Sequence, residues 1–162
     1  MSIYEQIENS IIAALNPLQS ASLSVVPLPE NDAAYIKPNA GAKITVMYLE
    51  STFGTTASPV LSTGVVAQDE KVFIEVSIES RKFRGNSGIF AIWDAIKAIL
   101  IGFRPFDCDR LRLHKFGMNF SEKKDSTWMY VGVFYCTRLS VQVDPSETYP
   151  LIKQINFDYE NI

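Results

Sequence analysis

From Thr127 to Val143 the chain reads TWMYVGVFYCTRLSVQV, an almost uncharged run of β-branched and aromatic residues in which Arg138 is the single charge. Such residues favour extended backbone because branched and planar side chains pack well on a pleated surface. Met129, Val131, Val133, Tyr135, Leu139, Val141 and Val143 fall on one face. A strand of this length reaches about 55 Å. That is more than a small sheet needs, so the strand either bends, near Gly132, or projects beyond the body of the domain. A partner for it lies upstream. In KVFIEVSIE, Val72, Ile74, Val76 and Ile78 alternate with Phe73, Glu75, Ser77 and Glu79. One apolar and one mostly polar face is the pattern of an antiparallel sheet covered on one side.

The remaining elements follow from periodicity and punctuation. Val65–Ala67 reads as the first arm of a hairpin that turns at Gln68-Asp69-Glu70 into Lys71–Glu79. Residues 43–49 (KITVMYL) are a strand, and residues 22–28 a shorter one that Pro27 confines to an edge or an end. From Ser87 or Gly88 to Ile101, Ile89, Ile92, Trp93, Ile96, Ile99 and Leu100 form a broad apolar stripe, so this helix covers the sheet. Asn86 or Ser87 is its expected cap, and Gly102 and Pro105 end it. Ser2–Leu15 is a second helix. Ser2 and Glu5 have the spacing of a capping box, Ile3, Ile7, Ile11 and Leu15 share a stripe, and Pro17 stops it. Residues 50–64 (ESTFGTTASPVLSTG) read as a long exposed loop, a length that usually signals a contact. DRLRLHKFGMNF alternates charged and apolar residues, and SEKKDS is a charged turn. The expectation is a single α+β domain: a mainly antiparallel β-sheet packed against a central helix (about 88–101), plus an N-terminal helix (about 2–15). The domain spans 1–145, and 146–162 form a C-terminal tail or arm. At 162 residues, such a domain can bury roughly 70% of its unfolded surface without disulfides.

The chemistry-bearing residues are few. The net charge of −3 gives no basic footprint of the kind nucleic-acid-binding domains carry. Cys108 and Cys136 have no metal-binding spacing and are expected to be free thiols in a reducing compartment. MSIYEQIEN lacks the basic start of a secretory signal. The apolar stretch Ile89–Phe103 is too short for a bilayer and carries Asp94 and Lys97, so no membrane partner is expected. The lone histidine, His114, lies in an alternating strand beside arginines, with no partner in the sequence that would make it a general base. Gly85-Asn86-Ser87-Gly88 is close to the Gly-Asp-Ser-Gly of trypsin-like proteases. The aspartate is missing, however, and the histidine follows the serine instead of preceding it. Glu75 and Glu79 read as a solvated strand face. The sequence therefore points to no catalytic residue, no cofactor and no metal ligand, and to a structural binding protein rather than an enzyme. Arg81, Lys82 and Arg84, ahead of a helix N-terminus, are a candidate contact for acidic groups of a neighbouring subunit.

IEVSIESRKFRGNSGIFAIWDAIKAILIGFRP, a charged strand, and then STWMYVGVFYCTRLSVQV together resemble the tail terminator (tail completion) proteins of Mu-like phages and prophages. The family pattern is an amphipathic N-terminal helix, a strand ending in a basic or polar turn, a central helix closing in Leu-x-Gly (here Leu100 and Gly102), and a late Trp-x-Tyr strand (Trp128 and Tyr130). The resemblance covers most of residues 65–145. It implies a homo-oligomeric ring, usually of six subunits, assembled in the host bacterial cytoplasm. That ring caps the tail tube, ends its polymerisation and presents a surface to the head–tail connector. DNA only passes through the ring lumen, and a tail sheath is a further partner in contractile particles. Candidate partner contacts are Phe53 in the 50–64 loop, the Arg81, Lys82 and Arg84 turn, and Ile152, Phe157 and Tyr159 in the tail. The alternatives are a head-completion or connector subunit of the same phage, or a small-ligand-binding α+β domain using Phe73, Glu75, Ser77 and Glu79.

Overall fold

The computed structural model describes residues 1–30, 41–54, 65–118 and 127–143. Among these residues two α-helices and five strands follow in order, with a 3-10 turn at Asn16–Leu18 after the first helix: α1 (Ile3–Leu15), β1 (Leu23–Pro27), β2 (Ala42–Phe53), β3 (Val65–Ser80), α2 (Ile89–Leu100), β4 (Arg112–Met118) and β5 (Trp128–Val143). The strands form one sheet in the order β1-β2-β3-β5-β4. All neighbours are antiparallel except β1, which lies parallel to β2 as an edge. The α+β, mainly antiparallel expectation holds, and Pro27 ends an edge strand, where its missing N–H costs no ladder bond.

Both helices lie on the same face of the sheet. α1 starts at a capping box: Ser2 Oγ accepts the Glu5 N–H, and the Glu5 carboxylate accepts the Ser2 N–H. Its Ile7, Ile11 and Leu15 are fully buried. α2 buries Ile89, Ile92, Trp93, Ile96 and Leu100, the stripe its spacing predicts. These side chains meet Ile44 and Val46 of β2, Val72, Ile74, Val76 and Ile78 of β3, and Phe134 and Cys136 of β5 in a single core. Gly102, at φ +84°, takes the left-handed turn that releases the chain from α2. The expected cap at Asn86 or Ser87 is not made. Gly88 occupies the N-cap without a side-chain bond, and the Ile89 N–H instead reaches back to the Lys82 carbonyl.

Three readings of the strands are corrected. The turn at Gln68-Asp69-Glu70 does not exist: β3 is one 16-residue strand paired with β5 from Val65↔Val143 to Ser80↔Trp128 without interruption. Polar residues look like a turn in sequence, but here Glu70 is buried and bonded, which lets the strand run through them. The 50–64 loop is shorter than expected, because Glu50–Phe53 continue β2. Residues 55–64 lie outside the described residues. The polar face is not solvated throughout either. Ser77 and Glu79 are buried, together with Lys43, Thr45 and Val133. The ion pair between Lys43 and Glu79, at 3.7 Å across neighbouring strands, makes that burial tolerable.

β5 turns its alternate residues, Tyr130, Gly132, Phe134 and Cys136, towards the helices, each opposite a core residue of β3. The pairing shows no irregularity at Gly132. The strand does project beyond its other neighbours. Beyond Glu70 and Arg138 the strands continue as a ribbon on which Leu139 and Val141 are more than half exposed.

Candidate interaction surface

The two ends of the sheet differ in chemistry. At one end β3 stops at Ser80, whose Oγ accepts the Lys82 N–H at 3.1 Å. The Gly88 N–H donates to the Gly85 carbonyl and the Ile89 N–H to the Lys82 carbonyl, which closes residues 82–89 into a compact loop. Arg81, Lys82 and Arg84 are exposed on it. Phe83 turns the other way. Its ring lies edge-on to Phe90 at 4.8 Å and to Trp128 and Tyr130, both at 5.6 Å. Tyr130 contacts Phe116 at 5.3 Å, and Phe116 stacks flat on Trp93 at 4.0 Å. The result is a continuous chain of rings from the core to the surface, where Phe90 and Trp128 are 43% and 37% exposed. Three cations beside partly exposed rings make a surface that can take acidic and apolar groups together.

The opposite end is organised around Glu70. Its carboxylate, 1% exposed, accepts Tyr4 Oη at 2.9 Å, Ser51 Oγ at 2.7 Å and Arg138 Nη1 at 2.7 Å. Arg138 also holds Asp107 at 2.9 Å. Four segments (α1, β2, β3 and β5) therefore meet at one buried carboxylate, and Arg138 ties in the loop after α2 through Asp107. Ser51 reaches it because Leu49 is an extra residue in β2. The register shift between Tyr48 and Glu50 moves Ser51 onto the helix side of the sheet. Burial by itself would raise the Glu70 carboxyl. The bonds from Ser51, Arg138 and Tyr4 and the guanidinium charge outweigh it and hold the group below the ordinary carboxylate range. Phe53, at the end of β2, is half exposed.

Phe53 and the Arg81, Lys82 and Arg84 loop thus stand at opposite ends of β2, roughly 35–40 Å apart by the rise of its residues, and they do not form one site. Ile152, Phe157 and Tyr159 lie outside the described residues. His114 is exposed on β4, edge-on to Phe73 at 5.6 Å and Tyr135 at 6.3 Å. No hydrogen bond among the described residues joins it to Ser87. Among the described residues, no group of three His, Cys, Asp or Glu could hold a metal, and no helix is long and apolar enough to cross a membrane. On the second face, Glu79 is engaged by Lys43. Glu75 is raised by burial, partly offset by Lys115.

The sequence reading missed the Glu70 centre and the aromatic chain. An acid opposite an arginine on a neighbouring strand can be recognised only once the register is known. The spacing of Phe83, Phe90 and Trp128 shows no period, because they belong to three different elements.

The family model described as Gp37 protein matches residues 11–161. No match to the curated proteins reaches significance. Among solved structures, a chain described as "Virion of native gene transfer agent (GTA) particle" is similar with a TM-score of 0.51 and 13% sequence identity. The match covers 86% of this chain and 98% of that one. At that identity the likeness concerns the fold.

Proposed function

The chain belongs to the Gp37 protein family, and from that premise we propose that it is a structural protein of a phage-type particle, namely a tail terminator. In this reading six copies close into a ring on the tail tube, end its polymerisation and carry the joint to the head–tail connector, with no enzymatic step. The observation that carries the proposal is the match in fold, over 86% of this chain and 98% of the other, to a chain of a gene transfer agent virion. The resemblance of the central helix and the late Trp-x-Tyr strand to Mu-like tail terminators supplies the finer assignment.

A ring that ends a tube must match the rotational symmetry beneath it, and head-to-tail contacts that close give cyclic assemblies. The chain offers two unlike ends for such contacts. The cationic loop with its exposed rings faces one way, and the ribbon with Leu139, Val141 and Phe53 faces the other. A small-ligand site on the second sheet face is less well supported, because Glu79 is paired and Ser77 buried. Electron microscopy of particles tests the proposal. Density at the head-proximal end of the tail should fit six copies of this fold. Density at the baseplate would overturn the reading, and density inside the connector would favour the head-completion alternative.

A further inference from the structure

Cys108 and Cys136 come from segments far apart in sequence, and the fold places them in contact. Both are free and buried. Cys108 sits in the loop after α2, its N–H bonded to the Pro105 carbonyl. The next residue clamps this loop to β5. The Asp109 N–H donates to the Thr137 carbonyl at 2.8 Å, and the Thr137 N–H donates to Asp109 Oδ1 at 2.6 Å. The two buried thiols lie close enough to interact with one another. Their access differs. Cys108 lines a surface depression with Arg104, Pro105, Asp107, Arg138 and Leu139, whereas Cys136 is 1% exposed behind it.

We propose that Cys108 and Cys136 are a redox-active thiol pair, Cys108 attacking and Cys136 resolving, which closes to a disulfide when the protein meets a small disulfide oxidant such as oxidised glutathione. The electrostatics have the same polarity. The interaction with Cys136 and the charge of Arg138 lower the Cys108 thiol against the opposing effects of burial and of Asp107 and Asp109. The interaction with Cys108, together with burial, raises the Cys136 thiol. A thiolate held beside a cation at an accessible edge is the nucleophile of thiol–disulfide exchange.

In the first step the Cys108 thiolate attacks one sulfur of the oxidant. The oxidant's S–S bond breaks, one thiolate leaves, and Cys108 carries a mixed disulfide. In the second step Cys136 gives up its proton and attacks the Cys108 sulfur. The Cys108–Cys136 bond forms and the second thiolate leaves. The protein has lost two electrons and two protons, and the oxidant has become two thiols. The product ties the loop after α2 to β5 beside the Glu70 and Arg138 contacts. The proposal does not depend on the ring reading.

Intact mass of the full chain after incubation with oxidised glutathione, quenched by alkylation under denaturing conditions, is the test. The expected product is lighter by two hydrogens, takes up no alkylating reagent, and returns to two alkylatable thiols on reduction. Cys136→Ser should stop at a glutathione adduct on Cys108, and Cys108→Ser should gain no adduct. Two alkylatable thiols in the treated wild-type protein, or a persistent mixed disulfide, would overturn the pair. An adduct on Cys136 in Cys108→Ser would overturn the assigned order. The wild-type measurement stands even if a variant fails to fold.

Discussion

Gly132 has no side chain where the ring of Trp93 rests. A Cβ built there would lie 2.5 Å from Cη2 and Cζ3 of Trp93, closer than real carbon contacts allow. The ring is also stacked on Phe116 and packed against Phe134, so it has little room to shift. Gly132→Ala should therefore destabilise the protein by about 1–3 kcal/mol through overpacking. Trp93→Ala should cost about 3–5 kcal/mol through the cavity it leaves. Chemical denaturation of the two variants checks both, and Gly132→Ala as stable as wild type would mean the contact is loose. Glu70 poses the opposite problem, a charge that must stay paired. Glu70→Ala leaves the partly buried Arg138 with only Asp107, and a loss of about 3 kcal/mol is expected. The pH dependence has a definite sign. The folded carboxyl is lower than the unfolded one, so its stabilisation is present above the unfolded pKa and disappears as pH falls through the folded value. Thermal melts from neutral to acid pH should show a loss below about pH 4.5 that is smaller in Glu70→Gln. Equal acid sensitivity of the two proteins would remove Glu70 as the titrating group.

The helices were the most legible elements, because their determinants are local. The capping box of α1 and the stripe of α2 each lie within a few turns of one segment, and the structure reproduces both. Ser2→Ala should lower stability by about 0.5–2 kcal/mol by removing the acceptor for the Glu5 N–H. A circular dichroism melt unchanged from wild type would show the cap contributes nothing. The strands were legible in their cores and not at their polar margins. Gln68-Asp69-Glu70 looks like a turn until Tyr4, Ser51 and Arg138 are known to converge on Glu70, and those partners come from distant parts of the chain. The bulge at Leu49, which reverses the faces of the last residues of β2, has no local signature in KITVMYLESTF. The same holds at the surface. The cations at Arg81, Lys82 and Arg84 could be read directly, whereas the rings behind them are assembled by the fold from β5, α2 and the loop between β3 and α2.

For the whole molecule, the distribution of charge matters more than its sum. A chain of net charge −3 that gathers three exposed cations beside open aromatic rings suits an acidic partner face. Reversing all three (Arg81→Glu, Lys82→Glu, Arg84→Glu) should leave the fold intact, since exposed substitutions cost within about 0.5 kcal/mol each. In the proposed role the same variant should fail to cap tails and give tubes of uncontrolled length by electron microscopy. Tubes of normal length would mean this end is not the contact. The pairing of β3 with β5 over all their residues has a mechanical consequence as well. Antiparallel ladder bonds stand perpendicular to the strands, so a pull along the ribbon loads every rung at once, whereas a sideways pull opens them one after another. The molecule is therefore a beam that is strong in tension along one axis and easily peeled across it. An assembly under internal pressure would carry its load safely only if the copies were set with that axis in the direction of the force.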